Sequence, residues 1–210
     1  MRITPLLSVL AVAAAIVLGP ARAPADTNPS EPGRFVGRLF GQLVWAMAGS
    51  DAALRVHAAN ALILDAVDLT DLARSSAGPL WATGSAADQA ETQRLILGAL
   101  AQRTAAGADV LSTTTLTVLG ELAEAEGVTI VHTEARWAGY VPVRIDWRID
   151  WRVVAGGAGR HWIEDVVIEG LSVRALLRLA AARLVGPEAS LAALNQAIGD
   201  LAGPAPASGP

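Results

Sequence analysis

The stretch Val141–Val153 constrains the fold of this chain more than any other, because its side chains alternate in polarity residue by residue. Its odd-numbered positions are apolar, and its even-numbered positions after Pro142 are arginine and aspartate in turn, from Arg144 to Arg152. Successive side chains of a strand point to opposite faces, so this period of two predicts a half-buried antiparallel strand. A straight strand of this length would span roughly 43 Å, so we expect it to curve or bulge.

Further strands are predicted on both sides of this segment. Val128–Trp137 and Trp162–Glu169 are joined to it by short glycine-containing turns, and Leu111–Leu119 is rich in Thr, Leu and Val. Such spacing is typical of an antiparallel meander. Between the strands, Glu121–Gly127 is interpreted as a helical turn or an acidic loop, and Gly170 as the end of the sheet.

Helical periodicity dominates the rest of the chain. Apolar residues recur every three or four positions, and Ser85 with Asp88 has the spacing of a capping box. The pattern predicts helices at about 34–49, 51–64, within 65–81, and at 85–108, 171–185 and 188–201. The predicted fold class is therefore α+β, with a curved antiparallel sheet packed against an amino-terminal helical region and two carboxy-terminal helices.

The amino terminus has the layout of a cleaved secretory signal peptide. Arg2 precedes an apolar run and then small residues, with cleavage expected after Ala23 or Ala25. An uncleaved amino-terminal anchor is the alternative. The absence of cysteine excludes a lipoprotein anchor and disulfides. We predict a signal peptide at 1–25, a linker at 26–33, one domain at 34–201 and a disordered tail at 202–210. The domain comprises a helical part (34–109), a sheet (110–170) and closing helices (171–201).

The charge of the mature chain argues against nucleic acid as a partner. Removing residues 1–25 takes away two arginines and no acid, so 16 basic residues become 14 against 20 acids, a net charge of −6. An acidic protein of this kind has no electrostatic basis for binding a phosphate backbone.

Few residues offer a metal site. The three histidines lack the His-x-x-x-His spacing, and there is no cysteine. Asp65, Asp68 and Asp71 are three apart, but they lack the pattern and the glycine of a calcium loop, which favours a solvated face or helix caps. No metal or cofactor is predicted.

Two carboxylates are candidates for a general base. Asp165 and Glu169 lie four apart on a predicted strand, on the same face as Ile163 and Val167, and a buried carboxylate on a cone-shaped sheet can abstract a proton. The alternative is that these acids pair with arginines of the neighbouring strand, at Arg144, Arg148 and Arg152.

The carboxy-terminal half resembles the MlaC family. The resemblance is carried by Pro142–Trp147 (PVRIDW) and Trp162–Ser172 (WIEDVVIEGLS), and more loosely by Gly78, Leu80 and Trp81 ahead of the Ser85 cap. The order of elements agrees with the family from about residue 34 to residue 201.

This resemblance implies a nuclear-transport-factor-like cone and a periplasmic phospholipid carrier without enzymatic activity, also called a toluene-tolerance auxiliary component. Family members carry lipid between an outer-membrane lipoprotein complex and an inner-membrane ABC transporter complex. A hopanoid-associated branch exists, and the short, Ala- and Arg-rich sequence is compatible with it. The family's usual Tyr- and Lys-rich middle helix is Ala-rich here. The family's lipid head-group preference and partner docking surface are therefore not carried over to this chain.

The function predicted on this basis is passive carriage of phospholipid, or a similar membrane lipid, in an apolar pocket. There are three alternatives. The apolar residues could form an ordinary packed core, the protein could be an isomerase or dehydratase that uses Asp165 or Glu169, or it could be an adaptor that binds no ligand. The pocket-lining candidates, taken from strand alternation, are Val131, Val143, Ile145, Trp147, Ile149, Trp151, Val167 and Leu171.

Overall fold

The computed structural model describes residues 30–153, 159–186 and 189–202. The predicted signal peptide at 1–25 and positions 203–210 of the predicted tail lie outside these ranges. No helix in the described ranges is long and apolar enough to cross a membrane.

Helices occupy the amino-terminal half and the carboxy terminus of the described chain. They are α1 (Glu31–Met47), α2 (Ala52–Ala66), α3 (Leu69–Ala77), α4 (Leu80–Thr83), α5 (Ala86–Ala106), α6 (Ala108–Leu111), α7 (Val173–Leu184) and α8 (Leu191–Ala202).

A single antiparallel sheet lies between α6 and α7 in the sequence. Its strands are β1 (Thr115–Ala125), β2 (Val128–Arg136), β3 (Val143–Val153), β4 (Gly159–Ile168) and β5 (Leu171–Ser172). The strands pair in chain order, so the sheet is a meander. The sheet is curved, and the predicted α+β class is confirmed.

Local signals in the sequence place the helix starts. The Asp51 carboxylate accepts hydrogen bonds from the amides of Ala53 and Leu54 at the start of α2. The capping box between Ser85 and Asp88 is present at the start of α5, as predicted. Side chains that satisfy free helical N–H groups in this way fix where a helix begins.

The predicted start of the first strand at Leu111 is wrong, because Leu111 ends helix α6 and β1 begins at Thr115. The hydroxyls of Thr113 and Thr114 both donate to the Val110 carbonyl, which occupies them in the helical turn. Threonine has both strand propensity and this capacity to bond back to the helix, and the second prevails here.

The interpretation of Glu121–Gly127 as a helical turn or acidic loop is also wrong, because β1 continues through Glu121 to Ala125. The pairing of β1 with β2 shifts register twice, after Val118 and after Ala123. Each β-bulge adds one residue and breaks the alternation that marks a strand in the sequence.

The sheet does not end at Gly170. Glu169 and Gly170 both have positive φ, 49° and 81°, and they form a two-residue turn that brings Leu171 opposite Ile168. Two-residue hairpins require left-handed residues because these match the twist of the strands. The helix predicted from Leu171 therefore begins two residues later, at Val173.

The inner face of the sheet packs against α1 and α2, while the other helices pack mainly on one another. Met47, Ala59 and Ala101 belong to a cluster that joins α1 and α2 to α5. Leu191 and Leu194 of α8 pack with Ala181 of α7 in a separate cluster. The helices therefore form a layer with its own cores beside the sheet.

Candidate functional site

An apolar contact zone lies where α1 and α2 meet the sheet, and we call it the interlayer. No charged side chain of the described residues is fully buried in it. Its buried members are Val36, Ala66, Val131, Trp147, Ile149 and Ile163. Half-buried apolar residues of α1, β1, β3 and β4 extend it. A surface of this chemistry matches the hydrocarbon part of a ligand.

The polar groups inside the interlayer are satisfied by one another. The indole N–H of Trp147 donates to the Thr133 hydroxyl over 2.9 Å, and that hydroxyl donates to the Ile145 carbonyl over 2.7 Å. Thr133 is fully buried. Because a buried donor without a partner is costly, this chain of bonds fixes the indole against the sheet.

Seven of the eight predicted pocket residues lie on the inner face of the sheet, as the register shows. Val131, Trp147 and Ile149 are buried, and Ile145 packs against them. Val143 is half-buried near one end of β3. Trp151 and Leu171 are each 42% exposed and lie at the two ends of this face. The structure therefore brings four of these seven candidates together and places the other three at the rim. Contact of these residues with a lipid stays a prediction.

The placement predicted for Val167 on the inner face is wrong. The β3–β4 pairing shifts between Arg148 and Ile149, so Glu164 is an additional residue in β4. Ile163 pairs with Ile149 on the inner face, whereas Val167 pairs with Asp146 on the outer face. The bulge turns the rest of β4 over, and Val166 takes the inner position instead.

Aromatic rings close one end of the interlayer. The ring of His161 stacks on Phe35 of α1 with centroids 5.6 Å apart and contacts the Trp151 ring at 4.4 Å. Burial lowers the pKa of His161; Glu31 acts against this shift and Arg38 reinforces it. A neutral imidazole can therefore sit between two aromatic rings without a charge partner.

Three aspartates predicted as a solvated face or helix caps also join the helices to the sheet and to α7, and Asp65 is solvated as predicted, with a side chain 73% exposed. Asp65 pairs with Arg160 over 2.9 Å, Asp68 with Arg152 over 2.8 Å, and Asp71 with Arg174 over 2.6 Å. Asp68 is also the N-cap of α3, which confirms the helix-cap interpretation for this residue. Within the described ranges, no group of three or more potential ligands is arranged to hold a metal ion.

The two candidate bases occupy structural positions. Asp165 accepts hydrogen bonds from the amides of Val166 and Arg174 and from the Ser172 hydroxyl, which ties β4 to the first turn of α7. Glu169 is exposed in the β4–β5 turn and accepts from the Arg144 amide. The three donors to Asp165 stabilise its position at the helix start.

The alternative that Asp165 and Glu169 pair with strand arginines is wrong. Among the described residues, neither acid forms an ion pair with Arg144, Arg148 or Arg152. Arg148 instead bridges Glu124 and Glu164, at 2.5 and 2.7 Å. Glu164 reaches Arg148 because it is the residue added by the bulge, which a simple alternation of faces does not anticipate.

Sequence reasoning missed several interlayer residues. Val36 is completely buried beneath the sheet, and its place in the apolar stripe of the first helix is a signal that was available. Ala66 and Glu121 carried no such signal. Glu121 accepts a 3.0 Å hydrogen bond from the Ser30 amide, at the amino end of α1, where a carboxylate is favoured by the helix dipole.

Comparison with a solved structure supports this description of the fold. The phospholipid-binding protein from Ralstonia solanacearum, solved in complex with a phospholipid, superposes with a TM-score of 0.63 at 17% sequence identity. The match covers 82% of this chain and 97% of that chain. No curated protein has a sequence that matches this chain significantly.

Comparison with family profiles gives the more specific result. The profile of the MlaC protein family matches residues 46–196, which include α2 to α7 and the entire sheet. The resemblance seen in PVRIDW and WIEDVVIEGLS is thereby confirmed. This chain belongs to the MlaC protein family.

Proposed function

We propose that this protein is a carrier that binds phospholipid, or a similar membrane lipid, and holds its acyl chains in the interlayer. The observation that carries the proposal is the apolar contact zone between α1, α2 and the inner face of the sheet. Membership of the MlaC family and the phospholipid bound to the similar Ralstonia solanacearum protein support it.

The interlayer is closed in this structure, so lipid entry requires the helices to move away from the sheet. Val36 and Val131 have no exposed surface, and Ile149 is 1% exposed. Separation exposes apolar side chains, and acyl chains then cover them again, with about 0.8 kcal/mol of stabilisation for each CH₂ buried. Binding and opening are thus coupled by the same apolar surface.

The proposed route places the mature protein in the periplasm after removal of residues 1–25. There it would carry lipid between an outer-membrane lipoprotein complex and an inner-membrane ABC transporter complex. Acyl chains buried in this way dissociate slowly, because their release restores the full cost of hydration. We expect release to need a partner complex that stabilises the open arrangement.

A vesicle transfer assay tests the carrier function. The purified full chain is mixed with donor vesicles containing a pyrene-labelled phospholipid and with unlabelled acceptor vesicles, and excimer loss is followed. The proposal predicts that transfer rises with protein concentration. A matched variant, Ile149→Asp, places a charge in the interlayer and should abolish transfer, while Val153→Asp on the exposed end of the same strand should not. Transfer by wild type no faster than without protein would refute carriage.

A further inference from the structure

An open groove runs between α3 and α7, apart from the interlayer. Its first part has a volume of about 540 Å³ and is lined by Ser75, Arg174 and Arg178, among others. Its second part, of about 380 Å³, continues along α7 past Ala182 to Val185. Both parts share Gly78, Pro79 and Arg178. We call the two parts together the α3–α7 groove. Each volume lies within the range of small-molecule sites.

The first part carries an uncommitted positive charge. Arg174 is bound by Asp71 and by the Glu164 carbonyl, at 2.6 and 3.1 Å. The Arg178 guanidinium has no hydrogen bond or ion pair with any described residue. It lies over the Gly78 turn, where its Nε is 3.9 Å from the position that a Cβ would take. It lines a part of the groove that holds no acid among its described lining residues.

The second part is apolar. Apart from Arg178 its described lining residues carry no charge, and they include Ala181 and Ala182 of α7 and Val185 just after it. Beneath it, Ala181 and Val185 pack on Leu191 and Leu194 of α8. The groove therefore changes from cationic to apolar along a single helix, with Arg178 at the boundary.

The chemistry of the two parts fits one class of ligand. A guanidinium pairs with a phosphate through two parallel N–H donors, and the adjoining apolar wall suits a hydrocarbon segment attached to that phosphate. The chain as a whole carries a net charge of −4, so a soluble anion gains little from its overall field. A phosphate that carries an apolar segment gains binding free energy from Arg178 and also from the apolar part of the groove.

We propose that the α3–α7 groove binds the phosphate end of an amphiphile, with the phosphodiester on Arg178 and the adjoining hydrocarbon along Ala182 and Val185. This assignment goes beyond the proposed lipid-carrier function, because the groove is separate from the interlayer and holds a second amphiphile, not the head group of the carried lipid. The spacing of Arg174 and Arg178 is one helical turn, so both lie on the face of α7 that lines the groove.

Titration of the full chain with dihexanoylphosphatidylglycerol, followed by amide NMR, tests the site. We expect chemical-shift changes at the Gly78 amide and at the amides from Arg174 to Val185, which span α7 and its carboxy-terminal end. Arg178→Gln should weaken binding by about tenfold or more, as expected for loss of a charged hydrogen bond. The matched control Arg183→Gln removes an exposed charge from the same helix outside the groove and should leave the affinity unchanged.

A second pair of variants distinguishes an amphiphile from free phosphate. Ala182→Trp fills the apolar part and should weaken dihexanoylphosphatidylglycerol while leaving the titration with inorganic phosphate unaltered; Ala192→Trp on α8 is the control. If inorganic phosphate binds as tightly as the amphiphile and neither Trp variant matters, the site takes free phosphate and the assignment is overturned.

The pyrene transfer assay separates this proposal from the carrier function. If wild type transfers phospholipid and Arg178→Gln binds the short-chain probe as tightly as wild type, the groove assignment fails and the carrier function stands. If wild type transfers no phospholipid, the carrier function itself fails. Circular dichroism melting of each variant confirms that it is folded before binding is compared.

Discussion

Arg152 of β3 donates a 2.8 Å hydrogen bond to Asp68, and the other carboxylate oxygen of Asp68 caps α3 by accepting from the Asp71 amide at 3.0 Å. One aspartate therefore fixes where a helix begins and also ties that helix to the sheet. The contact lies beside the bridge between Val67 and Ile163, where the helical layer meets the edge of β4. It links the two layers that must separate if lipid enters the interlayer.

Substitution of Asp68 separates these two roles. Asp68→Asn keeps a capping oxygen and removes the charge. Because the ion pair with Arg152 is half-exposed, we expect the free energy of unfolding to fall by less than about 1 kcal/mol. Asp68→Ala also loses the cap, at about 1 kcal/mol more. Urea unfolding of both variants measures the difference. Equal stability of the two variants would show that the cap contributes nothing.

Thr133→Val should destabilise the fold although it preserves shape. The change removes the hydroxyl that accepts from the Trp147 indole and donates to the Ile145 carbonyl. A buried donor left without a partner costs about 1–3 kcal/mol. The control Thr117→Val makes the same change on the exposed outer face of β1, where we expect an effect within about 0.5 kcal/mol. Similar effects of the two substitutions in urea unfolding would contradict this account of the interlayer.

The stability of the protein should fall in mild acid through His161. Burial lowers the pKa of this residue in the folded state, so the unfolded chain, with a pKa near 6.5, binds the proton more readily. Its contribution is therefore fully present above about pH 6.5 and is lost progressively as the pH falls toward the folded pKa. His161→Phe keeps a ring between Phe35 and Trp151 and removes the titration.

Melting temperatures of wild type and His161→Phe between pH 5 and pH 7.5 measure this contribution. We expect the wild type to lose more stability than the variant on acidification. The difference between the two profiles isolates His161 from the other histidines, which both proteins retain. Parallel profiles would show that the aromatic contacts do not depend on a neutral imidazole.

Acyl chains in the interlayer should lie close to Trp147. A phospholipid with a doxyl group on its acyl chain is then expected to quench part of the tryptophan fluorescence of the loaded protein. Trp147→Phe should reduce the quenched fraction, because Trp147 is the indole buried among the interlayer residues. Trp45 is 82% exposed on α1, so Trp45→Phe is the control and should leave the quenched signal unchanged. Equal quenching in all three proteins would place the acyl chains elsewhere.

The long strand was predictable because its apolar residues follow one period without interruption, and the start of α5 because of its capping box. In β3, Trp147 and Ile149 are buried on the face that alternation assigns to them. Trp151 lies on the same face but is 42% exposed, and its ring packs against that of His161 near the end of the strand. Alternation predicts the face of a side chain and not what covers it.

The errors arise where the chain inserts a residue or where a contact is made across layers. A bulge at Glu164 places Val167 on the outer face of the sheet. Bulges in β1 interrupt the alternation of its side chains, so the strand is not recognisable in the sequence between Glu121 and Ala125. Such insertions leave no periodic trace in the sequence. The pairs that join Asp65, Asp68 and Asp71 to distant arginines depend on tertiary placement, so their three-residue spacing suggested only caps or a solvated face.

The central claim is that this chain binds a membrane lipid, and native mass spectrometry of the full protein purified from its expressing cells tests it most directly. The account predicts a species heavier than the polypeptide by the mass of one lipid, and an organic extract that identifies this lipid as a phospholipid or hopanoid. A protein that has only its polypeptide mass, and that takes up no lipid after incubation with phosphatidylglycerol and phosphatidylethanolamine vesicles, would contradict it.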